Sequence, residues 1–230
     1  MIGIIGAMDV EVAILREKME NPVVEKVSGV DYIRGKLEGQ DVVLAQCGIG
    51  KVFAAICAQT MILKYNVEAI VNSGVAGTLT GELHIGDVAV STECVQHDMD
   101  TTPIGDPYGL LSGINIVRIP SDKQIAAEFD AVCTEQGVNH RLGLICSGDQ
   151  FVHTAERRNW INETFKGGVA VEMEAGSIAH VCYVNKVPFV SLRVISDEAS
   201  GEAGMDYTTF VQWAAKTSSQ ITLAWLESRK

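Results

Sequence analysis

Short apolar runs alternate along this chain with stretches in which apolar positions recur every three or four residues. The runs predict strands at 2–5, 32–37, 42–47, 69–73, 88–96, 141–147, 169–173 and 189–196. Between them the helical period predicts helices at 9–19, 51–65, 122–136, 155–161, 174–185 and 207–227. The clearest is the third, where Ile125, Phe129, Val132 and Cys133 fall on one face and Ser121 with Gln124 suggests a capping box. Strands that alternate with helices predict a mainly parallel sheet covered on both faces. The Glu38-Gly39-Gln40 turn joins the second and third strands in a hairpin, so the sheet is expected to be mixed. From Asp98 to Gly113, two prolines and three glycines break any regular pattern, and a loop of that length is expected to serve as a lid or a partner contact.

Composition suits one compact α/β domain, or at most two tightly fused halves, over residues 1–230. The chain has 230 residues, 47% hydrophobic and 20% charged. A chain of that length buries roughly 70 to 75% of its unfolded surface and needs no disulfide or metal staple. Its 29 acidic residues against 18 basic leave a net charge of -11, which repels nucleic-acid phosphates and anionic membranes and argues against both as partners. Six cysteines stand mostly inside apolar runs without a C-x-x-C pair, and the opening Met1-Ile2-Gly3-Ile4-Ile5-Gly6 lacks a basic segment ahead of it. Buried free thiols in a cytoplasmic protein are the expectation.

In open α/β sheets ligands bind beyond the carboxyl ends of the strands, and here acids collect at those ends. One apolar run leads into Ser147-Gly148-Asp149, another into Glu172-Met173-Glu174, and a third, with Arg193 inside it, into Ser196-Asp197. A fourth leads into Ser73-Gly74-Val75-Ala76-Gly77, expected as a Gly-rich turn that lets backbone approach a ligand. Extended geometry would put Glu172 and Glu174 on one face, where each needs a donor or a polar ligand; alternatively one of them caps the following helix. Arg193 in an apolar strand requires an acidic or ligand partner. Asp197 reads either as a functional acid or as an ordinary loop aspartate, and Glu11 either as a site residue or as a solvated acid at a helix start.

Familiar alternatives lack their residues. Gly48-Ile49-Gly50-Lys51 is not a P-loop, and no G-x-G-x-x-G, G-x-S-x-G or H-E-x-x-H occurs. The nearest metal-like cluster, His97-Asp98-Met99-Asp100, has no further ligand at suitable spacing and reads as structural hydrogen bonding.

These segments, in order across nearly the whole chain, resemble the nucleoside phosphorylase and nucleosidase superfamily, most closely the bacterial 5'-methylthioadenosine/S-adenosylhomocysteine nucleosidases. The resemblance rests on Gly3 to Val12, Gly48-Ile49-Gly50-Lys51-Val52, Asn72-Ser73-Gly74-Val75-Ala76-Gly77, Gly86-Asp87-Val88 and His97-Asp98-Met99-Asp100. It continues through Ser147-Gly148-Asp149-Gln150-Phe151-Val152, Val171-Glu172-Met173-Glu174-Ala175 and Arg193-Val194-Ile195-Ser196-Asp197. It implies a single domain over residues 1–230, a three-layer αβα sandwich with a twisted mixed central sheet, a homodimer, an adenine nucleoside and water as substrates, and no metal or organic cofactor.

By the same resemblance Asp197 is the acid that protonates adenine N7, and Glu11 activates water. Glu174 binds the ribose hydroxyls above Met173, with Glu172 beside them in the substrate site, and Arg193 fixes the water and Glu174. Phe151 stacks on adenine while the Val152 backbone reads its edge. Tyr207 is the aromatic lid, and Ile104 reaches across a dimer into the alkylthio pocket. Val75 stands where many relatives carry Ser, and its side chain has no hydrogen-bonding group. A phosphate-dependent phosphorylase is the nearest rival, although no Lys or Arg occurs from Ala69 to Val95. A nucleosidase for another 5'-modified adenine nucleoside and a non-catalytic nucleoside sensor are the others.

Overall fold

Ile4 and Ile5 are both fully buried, yet they pack into different cores, because successive side chains of a strand point to opposite faces. They belong to β1 (Ile2–Gly6), which lies between parallel neighbours β4 (Gln40–Gln46) and β5 (Ala69–Thr78). The Ile4 face is covered by α1 (Asp9–Lys18), α3 (Lys123–Glu135) and α6 (Ala203–Ser228), through Leu15, Phe129 and Trp225. The Ile5 face is covered by α2 (Lys51–Tyr65) and α5 (Ala175–Asn185), through Cys57, Met61 and Ile178. This is the expected three-layer arrangement. The computed structural model describes residues 1–199 and 203–229, with backbone alone for 203–205; within the Gly-rich stretch after Asp197, residues 200–202 lie outside the described residues.

The remaining strands are β2 (Glu20–Val27), β3 (Val30–Leu37), β6 (Val88–Gln96), β7 (Ile119–Pro120), β8 (His140–Ser147), β9 (Gly168–Glu172) and β10 (Phe189–Asp197). The sheet runs β10-β6-β8-β9-β5-β1-β4-β3-β2, with β7 against β6. It is mixed: β5 is parallel to β1 and β10 and antiparallel to β9, and the Glu38-Gly39 turn makes β3 and β4 the expected hairpin. Because β5 pairs with both β9 and β10, five strands (β5, β10, β6, β8, β9) close into a ring from which β1, β4, β3 and β2 extend.

Several local expectations change. β5 runs on to Thr78 with every residue buried, so Gly74 and Gly77 lie within a strand instead of a turn. β9 stops at Glu172, and α4 (Ala155–Thr164) is a turn longer than predicted. α3 is capped by Asp122, whose carboxylate accepts from the Gln124 and Ile125 amides. Ser121 Oγ instead pairs with Ser91 Oγ at 2.7 Å. β2 has no counterpart in the apolar pattern because it is an outer strand with five consecutive exposed residues. The irregular segment after Asp98 contains a single 3-10 turn, Thr102–Ile104. All six cysteines are buried and unpaired. Among the described residues no helix is long and apolar enough to cross a membrane.

Candidate active site

Residues at the carboxyl ends of β1, β5, β9 and β10 and at the starts of α1 and α6 surround a cavity of about 380 Å³. Its walls include Glu11, Val75, Phe151, Glu172, Met173, Glu174, Asp197 and Tyr207. Val152 lines a smaller recess beside it, with Gln150 and Asp197. The structure therefore brings together every residue expected at the substrate site except Arg193, which lies fully buried beneath it, and Ile104. Ile104 is 80% exposed at the end of the 3-10 turn and is not part of this cavity wall.

Glu11 is not a solvated helix-start acid. From the third position of α1 its side chain turns back, so that Oε2 accepts from Ala7 N at 2.7 Å and Met8 N at 3.0 Å, while Oε1 accepts from Val75 N at 3.0 Å. Burial lifts its carboxyl above the ordinary range, and Arg193 and the three amides only partly offset this. Val75 thus contributes through its backbone. The bare Cα of Gly74 leaves the space that the Glu11 carboxylate and the Arg193 guanidinium occupy, so a side chain at that strand position would displace both.

Arg193 finds the acidic partners its burial demands. Nη2 donates to Glu172 Oε2 at 2.5 Å and to Asn72 Oδ1, Nη1 to Val75 O at 3.3 Å, and Nε to Ser191 Oγ at 3.1 Å. Glu174 Oε2 lies 3.7 Å away and Glu11 Oε1 3.9 Å. Burial opposes the guanidinium charge, but the three carboxylates outweigh it and hold the group more basic than usual.

Glu172 and Glu174 divide the two readings given for them. The Glu172 carboxylate accepts from the Glu174 and Ala175 amides and from Ser147 Oγ as well as from Arg193, so it caps the entry to α5 and has its lone pairs engaged. Glu174 occupies the cap position yet makes no side-chain cap bond. Its Oε1 accepts from Gly50 N at 2.9 Å. Burial, then the charge of Glu172, pushes its carboxyl up to about 8.

Asp197 ends β10 at a register shift opposite Gly77. Its Oδ1 accepts from Ala199 N at 2.9 Å and its Oδ2 lies 3.1 Å from Ser196 Oγ. Burial raises its carboxyl above the usual aspartate range despite these two contacts. Phe151 and Tyr207 meet edge to face with centroids 5.6 Å apart, and Tyr207 OH sits 2.8 Å from Met8 Sδ.

Asn72, Ser147 and Gly50 also hold the site together, although no role is read for them in the sequence. The signal for the first two was available, since each is a polar residue at the end of a wholly apolar run and so needs a buried partner. Gly50 carries φ +99°, a conformation that favours glycine, but its bond to Glu174 spans 124 residues.

Residues 1–227 match the model of the phosphorylase superfamily. A 5'-methylthioadenosine/S-adenosylhomocysteine nucleosidase from Staphylococcus carnosus (strain TM300) is 42% identical over 99% of this chain and 100% of its own. The enzyme of the same name from Neisseria meningitidis, solved in complex with methylthio-immucillin-A, superposes with a TM-score of 0.95 at 36% identity, covering 99% of this chain and 98% of that one. Futalosine hydrolase of Helicobacter pylori strain 26695 superposes with a TM-score of 0.94 at 35% identity, over 99% and 97%. With matched sequence, matched fold and nearly complete coverage on both sides, this chain belongs to the phosphorylase superfamily and, within it, to the 5'-methylthioadenosine/S-adenosylhomocysteine nucleosidases.

Proposed function

We propose that this chain hydrolyses the N-ribosidic bond of 5'-methylthioadenosine and S-adenosylhomocysteine, releasing adenine and the 5-thioribose product. One observation carries the reading: a single cavity presents two buried carboxyls in different surroundings, Asp197, lifted above the usual aspartate range by burial, and Glu11, held by three backbone amides. Departure of adenine needs a proton on the base while the sugar, in an oxocarbenium-like state, takes up a nucleophile. Asp197 gives its proton to N7, so the electron pair of the C1'–N9 bond leaves with a neutral base. Glu11 takes a proton from water as its oxygen bonds to C1'. Glu174 accepts from the ribose hydroxyls, Met173 lies under the sugar, Phe151 stacks on adenine and Tyr207 covers it. Water is the second substrate and no cofactor enters.

Phosphorolysis is disfavoured because no Lys or Arg lines the cavity among the described residues, and Arg193 is already surrounded by carboxylates. A second reading, preference for another 5'-modified adenine nucleoside, rests on the likeness to the futalosine hydrolase.

The same reading makes the molecule a homodimer. Val52, Phe53, Ile56 and Leu63 on α2 and Tyr183 and Val184 on α5 are exposed large hydrophobics on adjoining helices, and Ile104 is exposed as well. By the family resemblance, Ile104 would then reach the alkylthio pocket of a second copy that covers this face; a monomeric mass at micromolar concentration would remove that role. Six free buried thiols suit a reducing compartment, the cytoplasm.

The deciding test is adenine release from 5'-methylthioadenosine with and without phosphate. Free methylthioribose, indifferent to phosphate, is expected; a sugar 1-phosphate formed only with phosphate would refute hydrolysis. Asp197→Asn should lower turnover at least about a thousandfold while the protein stays folded.

A further inference from the structure

The amide that holds Glu174 is itself held from outside the cavity. Among the described residues, Gly50 N is the hydrogen-bond donor to the Glu174 carboxylate, with Arg193 beyond it at 3.7 Å. The next residue, Lys51, is clamped at both ends: its amide donates to Asp149 Oδ1 at 2.8 Å and its Nζ to Asp98 Oδ1 at 2.7 Å and Gln96 Oε1 at 3.3 Å. Asp98 Oδ2 then accepts from Asp149 N at 2.9 Å, which closes a ring of three residues. The ring joins the start of α2 to the chain just beyond β6 and just beyond β8.

This ring has little slack. The ion pair is 18% exposed at Lys51 and 16% at Asp98, so solvent screens it less than a surface pair. Although burial works against its charge, Lys51 and the Asp149 amide keep the Asp98 carboxyl below its ordinary range. A Cβ on Gly50 would lie 3.0 Å from Asp149 Oδ1, so Asp149 packs directly against the turn whose N–H points at Glu174. Neither Asp98 nor Lys51 lines the cavity.

We propose that Asp98, acting through Lys51 and Asp149, is a positioning residue for Glu174: it fixes the Gly50 N–H on Oε1 and thereby sets the orientation and the ionisation of the carboxylate that receives the ribose. This rests on the reading of Glu174 as the ribose-binding group. Loss of the Asp98 carboxylate frees the Lys51 ammonium and the Asp149 amide together, the turn relaxes, and Glu174 loses the donor that stabilises its charged form. Asp98→Asn keeps an acceptor for one partner and should fall between.

The experiment is a cycle of Asp98→Ala with Glu174→Gln, supported by Asp98→Asn and Lys51→Met. It is read by KM and kcat for 5'-methylthioadenosine across pH and by the Kd of methylthio-immucillin-A. Asp98→Ala is expected to raise KM about tenfold and more than it lowers kcat, and to move the acid limb of kcat/KM to higher pH. Asp98→Asn should give a smaller shift in the same direction. In the Glu174→Gln background, Asp98→Ala should change Kd less than about twofold. If Asp98→Ala fails to fold, Asp98→Asn and Lys51→Met carry the same comparison. Unchanged KM and pH limb with only a lower Tm, or an undiminished effect on Kd in the Glu174→Gln background, would overturn the positioning role and leave the nucleosidase reading intact. Wild-type affinity in Glu174→Gln alone would instead overturn the ribose-binding reading and the inference with it.

Discussion

Replacing Arg193 by Met is the most demanding test of the site, because it removes charge and hydrogen bonds but little volume. The guanidinium is 1% exposed and lies within 4 Å of Glu11, Glu172 and Glu174. Breaking a buried pair by deleting one partner costs about 3 to 5 kcal/mol, because the survivor is left charged and unpaired. For a chain of this length each kcal/mol moves Tm by about 2 to 4 °C, so the variant should melt roughly 6 to 20 °C lower near pH 7.5. The deficit must depend on pH. Glu11 and Glu174 already have folded pKa values above their ordinary ones, and loss of Arg193 raises them further. Stability tied to such a proton is fully present below the unfolded pKa, near 4.5, and is lost as pH rises through the folded value. Wild type and variant lose it together up to the wild-type folded value, so the deficit should be smallest at acid pH and grow as pH rises through those values, for Glu174 from about 8 upward. Turnover should fall at every pH, since a protonated Glu11 cannot accept a proton from water. Calorimetry across pH 4.5 to 9.5 decides: a Tm within 2 °C of wild type at pH 7.5, or a deficit independent of pH over the whole range, would refute the account of Arg193 as the shared counterion.

Glu174→Gln should stabilise the unliganded protein at pH 8 relative to wild type and lose that advantage by pH 5, because the native carboxyl, pushed up to about 8, must ionise while buried as pH rises; thermal melts at the two values check it. Gly77→Ala should lower kcat about tenfold or more with a smaller change in Tm, since its Cβ would stand 2.7 Å from Asp197 Oδ1; steady-state kinetics against the melt separates the two effects. Val75→Ser should stay within about threefold of wild type in kcat, because the Val75 amide, unaffected by the substitution, is what bonds Glu11. A large gain would instead mean that a hydroxyl at this position holds the water.

How much of this was legible depends on whether burial leaves a periodic trace. Every strand of the apolar pattern is present, and Ile4 and Ile5 face different layers as alternation requires. β2 was invisible because Asn21, Pro22, Val23 and Val24 are all exposed, so no face selects its residues. Arg193 could be assigned acidic partners from its apolar surroundings alone, but which carboxylates answer it is settled by the sheet register. Glu11 looked like any first-turn acid, because nothing local distinguishes a side chain that turns inward from one that faces water. Residues 73–77 read in sequence as a turn because of their glycines. They belong to a strand whose missing side chains make room for Glu11, Arg193 and Asp197. Asp98 and Lys51 are 47 residues apart, and a single sequence carries no mark of their pairing.

The closed ring of β5, β10, β6, β8 and β9 has a consequence for how the enzyme turns over. Glu172 and Asp197 end two of its strands, and Val75 and Gly77 lie on a third. Each strand of a closed ring is anchored on both flanks, so parting these residues requires two ladders to rupture at once. Phe151 and Tyr207 hang from the segments that lead into α4 and from the first turns of α6, outside that frame. Breathing that admits substrate and frees product should then be confined to the rim, while the spacing of Glu172 and Asp197 stays constant from one turnover to the next. Amide exchange should record the division: slow and uniform along the five strands, fast at the rim, with bound nucleoside quieting only the second.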